Sequence, residues 1–199
     1  HHQQAVLRVP RMATDPKQAD EHTELIATMI PELVSGHLGS LILFSSWRQM
    51  FRVTDMLPPE FAEKVLSQGS LSKSEIIAQH KDNVDSEQNS VIFGLASFAE
   101  GIDLPGKYCS HVVIAKIPFA VPDDPVGATL SEWIEARGGN SFAEVMIPDA
   151  TLRIVQACGR LLRTETDSGV ITILDTRLVS KRYGSMILRA LPPFRMELS

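Results

Sequence analysis

Five short, mostly apolar runs constrain the fold of this chain more than any other feature of its sequence. They are GSLILFSS (39–46), KVLSQG (64–69), NSVIFGL (89–95), SHVVIAKIPF (110–119) and GVITILD (169–175). Runs of this length without polar alternation are typical of strands that are buried on both faces. Because stretches with helical periodicity separate them, the sequence predicts βα units and a mostly parallel sheet with helices on both sides.

Helices are predicted between these runs. Two of them start at capping boxes, Ser46 with Gln49 and Ser72 with Glu75, in which the hydroxyl accepts a hydrogen bond from a later backbone N–H. Three others follow from apolar periodicity, over residues 19–34, 130–137 and 179–191. Ligands of open parallel sheets bind beside the carboxyl ends of the strands, so the residues that follow each strand are the candidates for a functional site.

The segment QACGRLLR (156–163) lies in another predicted helix, which Asp149 is expected to cap and whose other residues are almost all apolar or small. Gln156, Arg160 and Arg163 are four and then three residues apart, so they share one face. Guanidinium groups bind phosphate through paired N–H donors, and two of them about one turn apart can reach the same terminal phosphate.

The segment FAEGIDLPG (98–106) follows the third predicted strand. It predicts a sharp loop, because a glycine stands between two acids and a Pro-Gly turn comes next. The loop is expected to place the carboxylates of Glu100 and Asp103 in the same crevice as the arginine helix. These acids could also form purely structural ion pairs with the arginines, and the spacing alone leaves both interpretations open.

The end of the first predicted strand presents hydroxyl groups at a helix N-terminus, which is a ready site for an anion. Ser45 and Ser46 could hold a phosphate group there, could cap the helix, or could do both. Trp47 and Arg48 follow as the first residues of that helix, where Trp47 could contact a ligand, although the commoner place for a tryptophan is the core.

Taken together, these segments resemble motifs IV, V and VI of superfamily-two helicases, and their wording is closest to the DinG/XPD family. SLILFSSWRQM is similar to motif IV, FAEGIDLPG to motif V and QACGRLLR to motif VI. The connection from PFAVPDDPV to IPDA and the terminal TRLVSKRYG and ALPPF segments also match, so the resemblance covers residues 38–194. Within the family the bacterial DinG-like branch matches first and the YoaA-like branch next.

The resemblance implies a RecA-like three-layer α/β domain, of the P-loop NTPase type but without the P-loop. Helicases of this family have two such motor domains with ATP between them, and the first carries a G-x-x-x-x-G-K-[ST] loop and a DEAH-type acidic box. Neither occurs in this sequence. Residues 5–199 are therefore expected to be the second motor domain, the C-terminal helicase domain. The leading His1-His2 looks like part of a purification-tag remnant over residues 1–4.

By resemblance, the domain belongs to an ATP-dependent helicase that moves 5′ to 3′ on single-stranded DNA and unwinds duplexes, and this chain alone is expected to be inactive. Single-stranded DNA and the first motor domain are the implied partners. The implied cofactors are ATP with Mg²⁺ and an iron–sulfur cluster, held mainly or wholly by the other parts of the longer protein. The implied contacts are Gln156, Arg160 and Arg163 to the γ-phosphate region, with the arginines as fingers, and Glu100, Gly101 and Asp103 between nucleotide and DNA. The resemblance also implies that Ser45 and Ser46 could hold a DNA phosphate and that Trp47 and Arg48 could stack on or pair with the single strand.

Composition bounds these expectations. The 199 residues are 44% hydrophobic and 22% charged, with no apolar run long enough to span a membrane and no signal segment, which favours a cytoplasmic domain. The net charge of −5 argues against a binder of nucleic acid that relies on charge alone, although residues 151–199 carry +4 against −9 in residues 1–150. Cys109 and Cys158 fit no metal or disulfide pattern and are expected to be small buried residues.

Two other classes of function stay open. A non-catalytic RecA-like module that docks a partner protein gains support if the native chain has no Walker loop upstream. A self-sufficient nucleotide-binding α/β protein is disfavoured by the missing Gly-rich phosphate loop, and tight ATP binding by this chain alone would revive it.

Overall fold

A single parallel sheet organises the molecule. The computed structural model describes residues 5–120, 125–161 and 169–199, with Pro125, Arg160 and Leu161 given by their backbone alone. The strands are β1 Ala5–Val9, β2 Gly39–Phe44, β3 Val65–Ser67, β4 Ser90–Leu95, β5 His111–Ile114, β6 Gly169–Ile173 and β7 Arg195–Leu198. They lie in the order β3-β4-β2-β5-β6-β1-β7, and every neighbouring pair is parallel. The predicted sheet is confirmed, and the five predicted runs are β2 to β6.

Helices cover both faces of this sheet. The α-helices in the described ranges are α1 Ala19–Leu33, α2 Trp47–Met56, α3 Pro59–Ala62, α4 Lys73–Asp85, α5 Pro125–Ala136, α6 Ile147–Leu161, α7 Arg177–Ser180 and α8 Arg182–Ala190. Short 3₁₀ turns occupy Ala96–Ala99 and Gly106–Tyr108, and a π-helical turn occupies Phe142–Met146. Of the helices described, none combines the length and the apolar character that crossing a membrane requires.

The hydrophobic core consists of two clusters, one on each face of the sheet. Alternate residues of each strand point to opposite faces, so Leu41 and Leu43 of β2 join one cluster while Ile42 and Phe44 join the other. One cluster contains the buried residues of α1 and α2, and the other contains those of α4, α6 and α8. The expected three-layer α/β architecture is confirmed.

Both predicted capping boxes form the expected helix N-termini. The Ser46 hydroxyl accepts a hydrogen bond from the Gln49 backbone N–H at 3.2 Å, and the Ser72 hydroxyl accepts one from the Glu75 N–H at 3.2 Å. A cap of this kind satisfies an N–H that has no partner within the helix. The caps therefore fix where α2 and α4 begin, directly after β2 and shortly after β3.

Two predicted helix boundaries are wrong. Helix α6 begins at Ile147, two residues before the expected cap, because the π-helical turn runs straight into it. Asp149 lies in the first turn instead, where its carboxylate is 3.0 Å from Arg153 Nε. The single helix expected over 179–191 is interrupted at Lys181, whose backbone is extended, and becomes α7 and α8.

Two strands of the sheet, β1 and β7, have no counterpart among the predicted runs. Strand β1 alternates buried and partly buried residues over only five positions, and β7 is a largely exposed edge strand with the sequence RMEL. Both pair with partners far away in the sequence, β1 with β6 and β7 with β1. Their strand character thus comes from long-range pairing, which a local apolar run does not reveal.

The amino-terminal edge of the sheet holds buried histidines. His111 is fully buried, its Nε2 is 2.7 Å from Thr172 Oγ1, and its ring centroid is 4.6 Å from that of His37. His80 is also fully buried, between Ser90 Oγ at 2.8 Å and the Tyr108 carbonyl oxygen at 2.6 Å. Burial lowers the pKa of His111 from 6.5 to about 3 and lowers the pKa of His80 as well.

These lowered pKa values predict that the domain loses stability as the pH falls from 6.5 to 5. Between pH 6.5 and 5 the imidazole of residue His111 becomes protonated in the unfolded chain but stays neutral in the folded one. The free energy of unfolding therefore decreases by about 2 kcal/mol from His111 alone. Urea unfolding at pH 7.5 and pH 5 measures the change, and His111→Gln should remove the share of it that His111 contributes. Exposed carboxylates such as Asp85 and Glu197 have pKa values lowered further below this window and do not obscure it. Equal stability at both pH values would contradict the assignment.

Candidate functional site

The carboxyl edge of the sheet contains a crevice of about 300 Å³ between the turn after β4 and helix α6. The end of β2 forms its floor through Leu43. Its polar lining comes from Ser97, Glu100, Asp149, Arg153 and Gln156. The sequence predicts that Glu100 and the helix of Gln156 face one crevice, and the structure brings these two residues together there. Asp103 is exposed and is not among the described lining residues.

The turn after β4 is shaped by two glycines. Phe98 folds back onto the end of the strand, and a Cβ at Gly94 would lie 2.7 Å from its ring, so only glycine fits there without a shift. Gly101 has a φ of +76°, in the left-handed region that side chains disfavour. The sharp loop predicted from FAEGIDLPG is therefore present, and it points the Glu100 residue into the crevice.

Lys73, which the sequence reasoning did not single out, holds this turn from the side. Its ammonium donates a hydrogen bond to the Glu100 carbonyl oxygen and lies 5.3 Å from the centroid of the Phe98 ring. Lys73 is the first residue of α4, directly after the Ser72 cap. The predicted Ser72 cap could have indicated Lys73. The cap fixes where α4 begins and therefore where its first side chains lie relative to the end of β4.

Helix α6 presents a polar stripe to the crevice. Ile154, Ala157 and Cys158 are buried against the sheet, whereas Gln156 is exposed and Leu152 is 54% exposed. The helix is therefore buried on the side that faces the sheet and exposed on its outer face.

The stripe starts one turn earlier than the sequence reasoning placed it. Arg153, three residues before Gln156, lines the crevice beside Asp149. The backbone of Arg160 continues the helix on the same face, four residues after Gln156. The Arg160 side chain and the whole of Arg163 lie outside the described residues, so their predicted contacts stay predictions.

The end of β2 leads into α2 with the predicted polar residues. Ser46 caps the helix, and the hydroxyl oxygen of Ser45 is buried without a hydrogen-bond partner among the described residues. Arg48 is exposed. The hydroxyls thus stand at a helix N-terminus, as the sequence predicts.

Trp47 is the residue of this group for which the sequence left two interpretations. It is 41% exposed and stacks on Phe51, with ring centroids 5.7 Å apart and planes at 29°. Its other neighbour is Gly69, whose missing side chain leaves room for the indole edge. The core interpretation of Trp47 is therefore wrong, and Phe51, which the sequence reasoning passed over, extends an exposed aromatic pair.

Both cysteines lie in the core, as predicted. Cys109 and Cys158 are 1% and 3% exposed, and burial raises the pKa of each thiol to about 12. Thiols in this state are poor nucleophiles, so neither contributes to the crevice chemistry.

The chain matches known proteins over most of its length. Residues 31–194 match the model of a family described as helicase C-terminal domain. The chain is 43% identical over 195 residues to the ATP-dependent DNA helicase DinG of Photobacterium profundum and 35% identical over 201 residues to that of Escherichia coli K12. These alignments cover 96% and 99% of this chain and 28% of each relative. The chain thus spans little more than a quarter of the length of these relatives.

Solved structures show the same fold. An XPD helicase superposes with a TM-score of 0.72 at 20% identity, over 98% of this chain and 36% of that protein. S. cerevisiae Dbp5, solved with RNA and ADP BeF3, superposes with a TM-score of 0.55 at 17% identity, over the whole of this chain and 41% of that protein. At these identities the likeness concerns the RecA-like architecture alone.

Proposed function

Because the chain belongs to the helicase C-terminal domain family, in its DinG/XPD branch, we propose that it is the second motor domain of an ATP-dependent DNA helicase. In this proposal residues 5–199 form the domain and residues 1–4 are a tag remnant. The longer protein moves 5′ to 3′ along single-stranded DNA and unwinds duplexes. The first motor domain, outside this sequence, is the partner that completes the ATP site.

The observation that carries the proposal is the crevice that joins Glu100 to the polar stripe of α6. It opens at the carboxyl edge of a parallel sheet, where such sheets bind their ligands. The Arg153 guanidinium and the Gln156 amide can donate hydrogen bonds to phosphate oxygens. The sequence has no G-x-x-x-x-G-K-[ST] loop of the kind whose backbone N–H groups wrap a triphosphate. This half-site fits a nucleotide whose phosphates are held mainly by another domain.

Gln156, Arg160 and Arg163 are the residues that would face the γ-phosphate. The two arginines would neutralise the charge that develops as the phosphoryl group leaves, and Gln156 would contact the same phosphate region or the attacking water. ATP with Mg²⁺ supplies the phosphoryl chemistry when bound, mainly to the first motor domain. The iron–sulfur cluster of the family would likewise lie in another part of the longer protein.

The DNA strand would cross the neighbouring part of the same edge. Ser45 and Ser46 stand at the N-terminus of α2 and would contact a backbone phosphate. Trp47 offers an exposed aromatic face for a base, and Arg48 offers a charge for the backbone.

The turn after β4 would link the two ligands. Glu100 lines the crevice, and Gly101 and Asp103 follow it on the exposed side of the turn. If this turn shifts when the nucleotide is hydrolysed, it would displace the DNA contacts that lie at the end of the neighbouring strand β2. ATP turnover would in this way be coupled to a step along DNA.

The proposal predicts that this chain alone hydrolyses ATP negligibly, whereas the longer protein does so in a DNA-dependent way. In the longer protein, Gln156→Ala should lower the DNA-stimulated kcat about tenfold, as expected for loss of one positioning hydrogen bond to the phosphate region. Steady-state ATPase assays with and without a single-stranded oligonucleotide measure both effects. Arg189→Ala, at an exposed position of α8, is the control and should leave kcat unchanged.

Two results would contradict this assignment. One is DNA-independent turnover by the isolated chain, and the other is full activity of the Gln156→Ala protein. A longer protein that binds its partners but lacks a Walker loop would instead favour the alternative, a non-catalytic RecA-like docking module.

A further inference from the structure

A second cavity, of about 410 Å³, opens between the N-terminal ends of α1 and α2. Its lining includes Lys17 and Thr23 from the α1 end, Arg48 and Gln49 from α2, and Lys116 just after β5. It lies at the carboxyl edge of the sheet but shares no lining residue with the crevice of Glu100 and Gln156. It is therefore a separate candidate site.

The charges around this cavity are unbalanced in favour of cations. Four basic and two acidic side chains line it. Arg52 pairs with Asp20 across the opening. Within the part of the chain that the structure describes, no carboxylate lies at ion-pairing distance from Lys17, Arg48 or Lys116. Three cations with one remaining acid, Glu21, leave the cavity with an excess of positive charge that an anion would neutralise.

Lys116 is the cation that the fold constrains most. It comes two residues after the last residue of β5 and is partly buried. Burial and the nearby Arg177 guanidinium lower the pKa of its amine, and the Asp175 carboxylate offsets this only in part. An anion in the cavity would compensate both effects, which gives Lys116 more to gain from a ligand than an ordinary surface lysine has.

Gln49 is an independent sign that the cavity takes a polar ligand. Its side chain is 9% exposed, and its Nε2 is 3.5 Å from the Thr23 hydroxyl. Its Oε1 has no hydrogen-bond partner in the described residues. A buried carbonyl oxygen of this kind costs free energy unless a donor reaches it, and a ligand with an N–H group would supply one.

We propose that this cavity seats one nucleotide of single-stranded DNA, with Lys116 and Lys17 on its backbone phosphate and Gln49 facing its base. The inference rests on the proposed function and extends the strand contacts beyond Ser45–Arg48. A nucleotide within a strand meets both requirements, since its phosphate accepts from the cations and its base offers N–H donors. Ser46 and Arg48 line the same cavity, and the exposed Trp47 ring adjoins them in sequence, so the strand would continue onto the aromatic pair.

Lys116 also lies between the two candidate sites. A small cavity joins it to Ser45, Ala96 and Arg153, and the last two of these line the nucleotide crevice as well. A phosphate held by Lys116 would thus lie beside a cavity that Arg153 shares with the crevice.

The test is the salt dependence of binding of a fluorescently labelled oligo-dT by this chain. Lys116→Gln should weaken binding several-fold at low salt and reduce the slope of log K against log salt by about 0.7, the value for one phosphate contact to a single strand. Lys64→Gln makes the same charge change beside the start of β3, at the opposite edge of the sheet, and should leave the slope unaltered. Lys116→Arg keeps the charge and should retain both affinity and slope, which separates loss of the contact from loss of the fold.

The outcomes separate this inference from the proposed function. If Lys116→Gln binds like the parent while Trp47→Ala binds more weakly, the proposed nucleotide site in this cavity is wrong and the proposed DNA contact at α2, which includes Trp47 outside the cavity lining, stands. If ATP alone competes with the oligo-dT at equal phosphate concentration, the cavity is a general polyphosphate site and the DNA assignment is wrong. If the parent chain does not bind oligo-dT even at low salt, both the proposed DNA contacts at α2 and the proposed nucleotide site in the cavity are wrong.

Discussion

Replacing Asp175 with alanine should lower the free energy of unfolding by about 3–5 kcal/mol, the cost of leaving one partner of a buried ion pair uncompensated. The Asp175 side chain is fully buried. Its carboxylate accepts hydrogen bonds from Arg177 Nη2 at 2.6 Å, from Arg177 Nε at 2.9 Å and from the Ile117 backbone N–H at 2.8 Å. Removal leaves a guanidinium that is 15% exposed without its counter-charge and a buried N–H without its acceptor.

Urea unfolding monitored by circular dichroism measures this loss. Asp175→Asn keeps the volume and one acceptor and should be intermediate. Asp85→Ala is the matched control, because Asp85 also has two partners, Lys107 and Tyr108, but is exposed, so its loss should change the unfolding midpoint little. A midpoint for Asp175→Ala close to that of Asp85→Ala would show that the pair carries no stability.

The Asp175 bridge also shows what local sequence patterns leave out. The run GVITILD predicts β6, yet nothing local indicates that its final acid would hold the backbone of Ile117, 58 positions away. The same holds for Lys73 and the Glu100 carbonyl, 27 positions apart. Capping boxes and apolar runs were predictable because their physics is confined to a few neighbouring residues.

The candidate site likewise has a part that was predictable from the sequence and a part that was not. The motifs predicted that Glu100 and Gln156 share a crevice, because both follow strands of one parallel sheet and such ends meet at one edge. The basic cavity at Lys116 escaped prediction, because its cations come from three separate segments and become neighbours only after folding. The exposure of Trp47 was not predictable for a different reason. The general preference of tryptophan for the core takes no account of a neighbour such as Gly69, which is brought beside the ring only by folding.

In the longer protein, Arg160→Ala and Arg163→Ala should each lower the ATPase kcat by about a thousandfold, the effect of losing an arginine that stabilises the transferring phosphoryl group. In α6, Gln156 faces the crevice and Arg160 follows four residues later on the same helical face. An arginine that interacts only with the charge of the transition state raises kcat and does not strengthen ATP binding. The KM for ATP should therefore change little in either variant.

Single-stranded DNA affinity separates this role from a structural one. Lysine at position 160 keeps the charge but not the planar pair of donors, so Arg160→Lys should recover only a minor part of kcat. Oligo-dT binding by the same proteins should stay within about twofold of the parent, because the proposed strand contacts lie at α2 and Lys116. Arg182→Ala, on exposed α8, makes the same truncation away from the crevice and should keep full activity. Parallel losses of kcat and DNA affinity would mean that the arginines hold the domain or the strand together, and their role at the γ-phosphate would have to be abandoned.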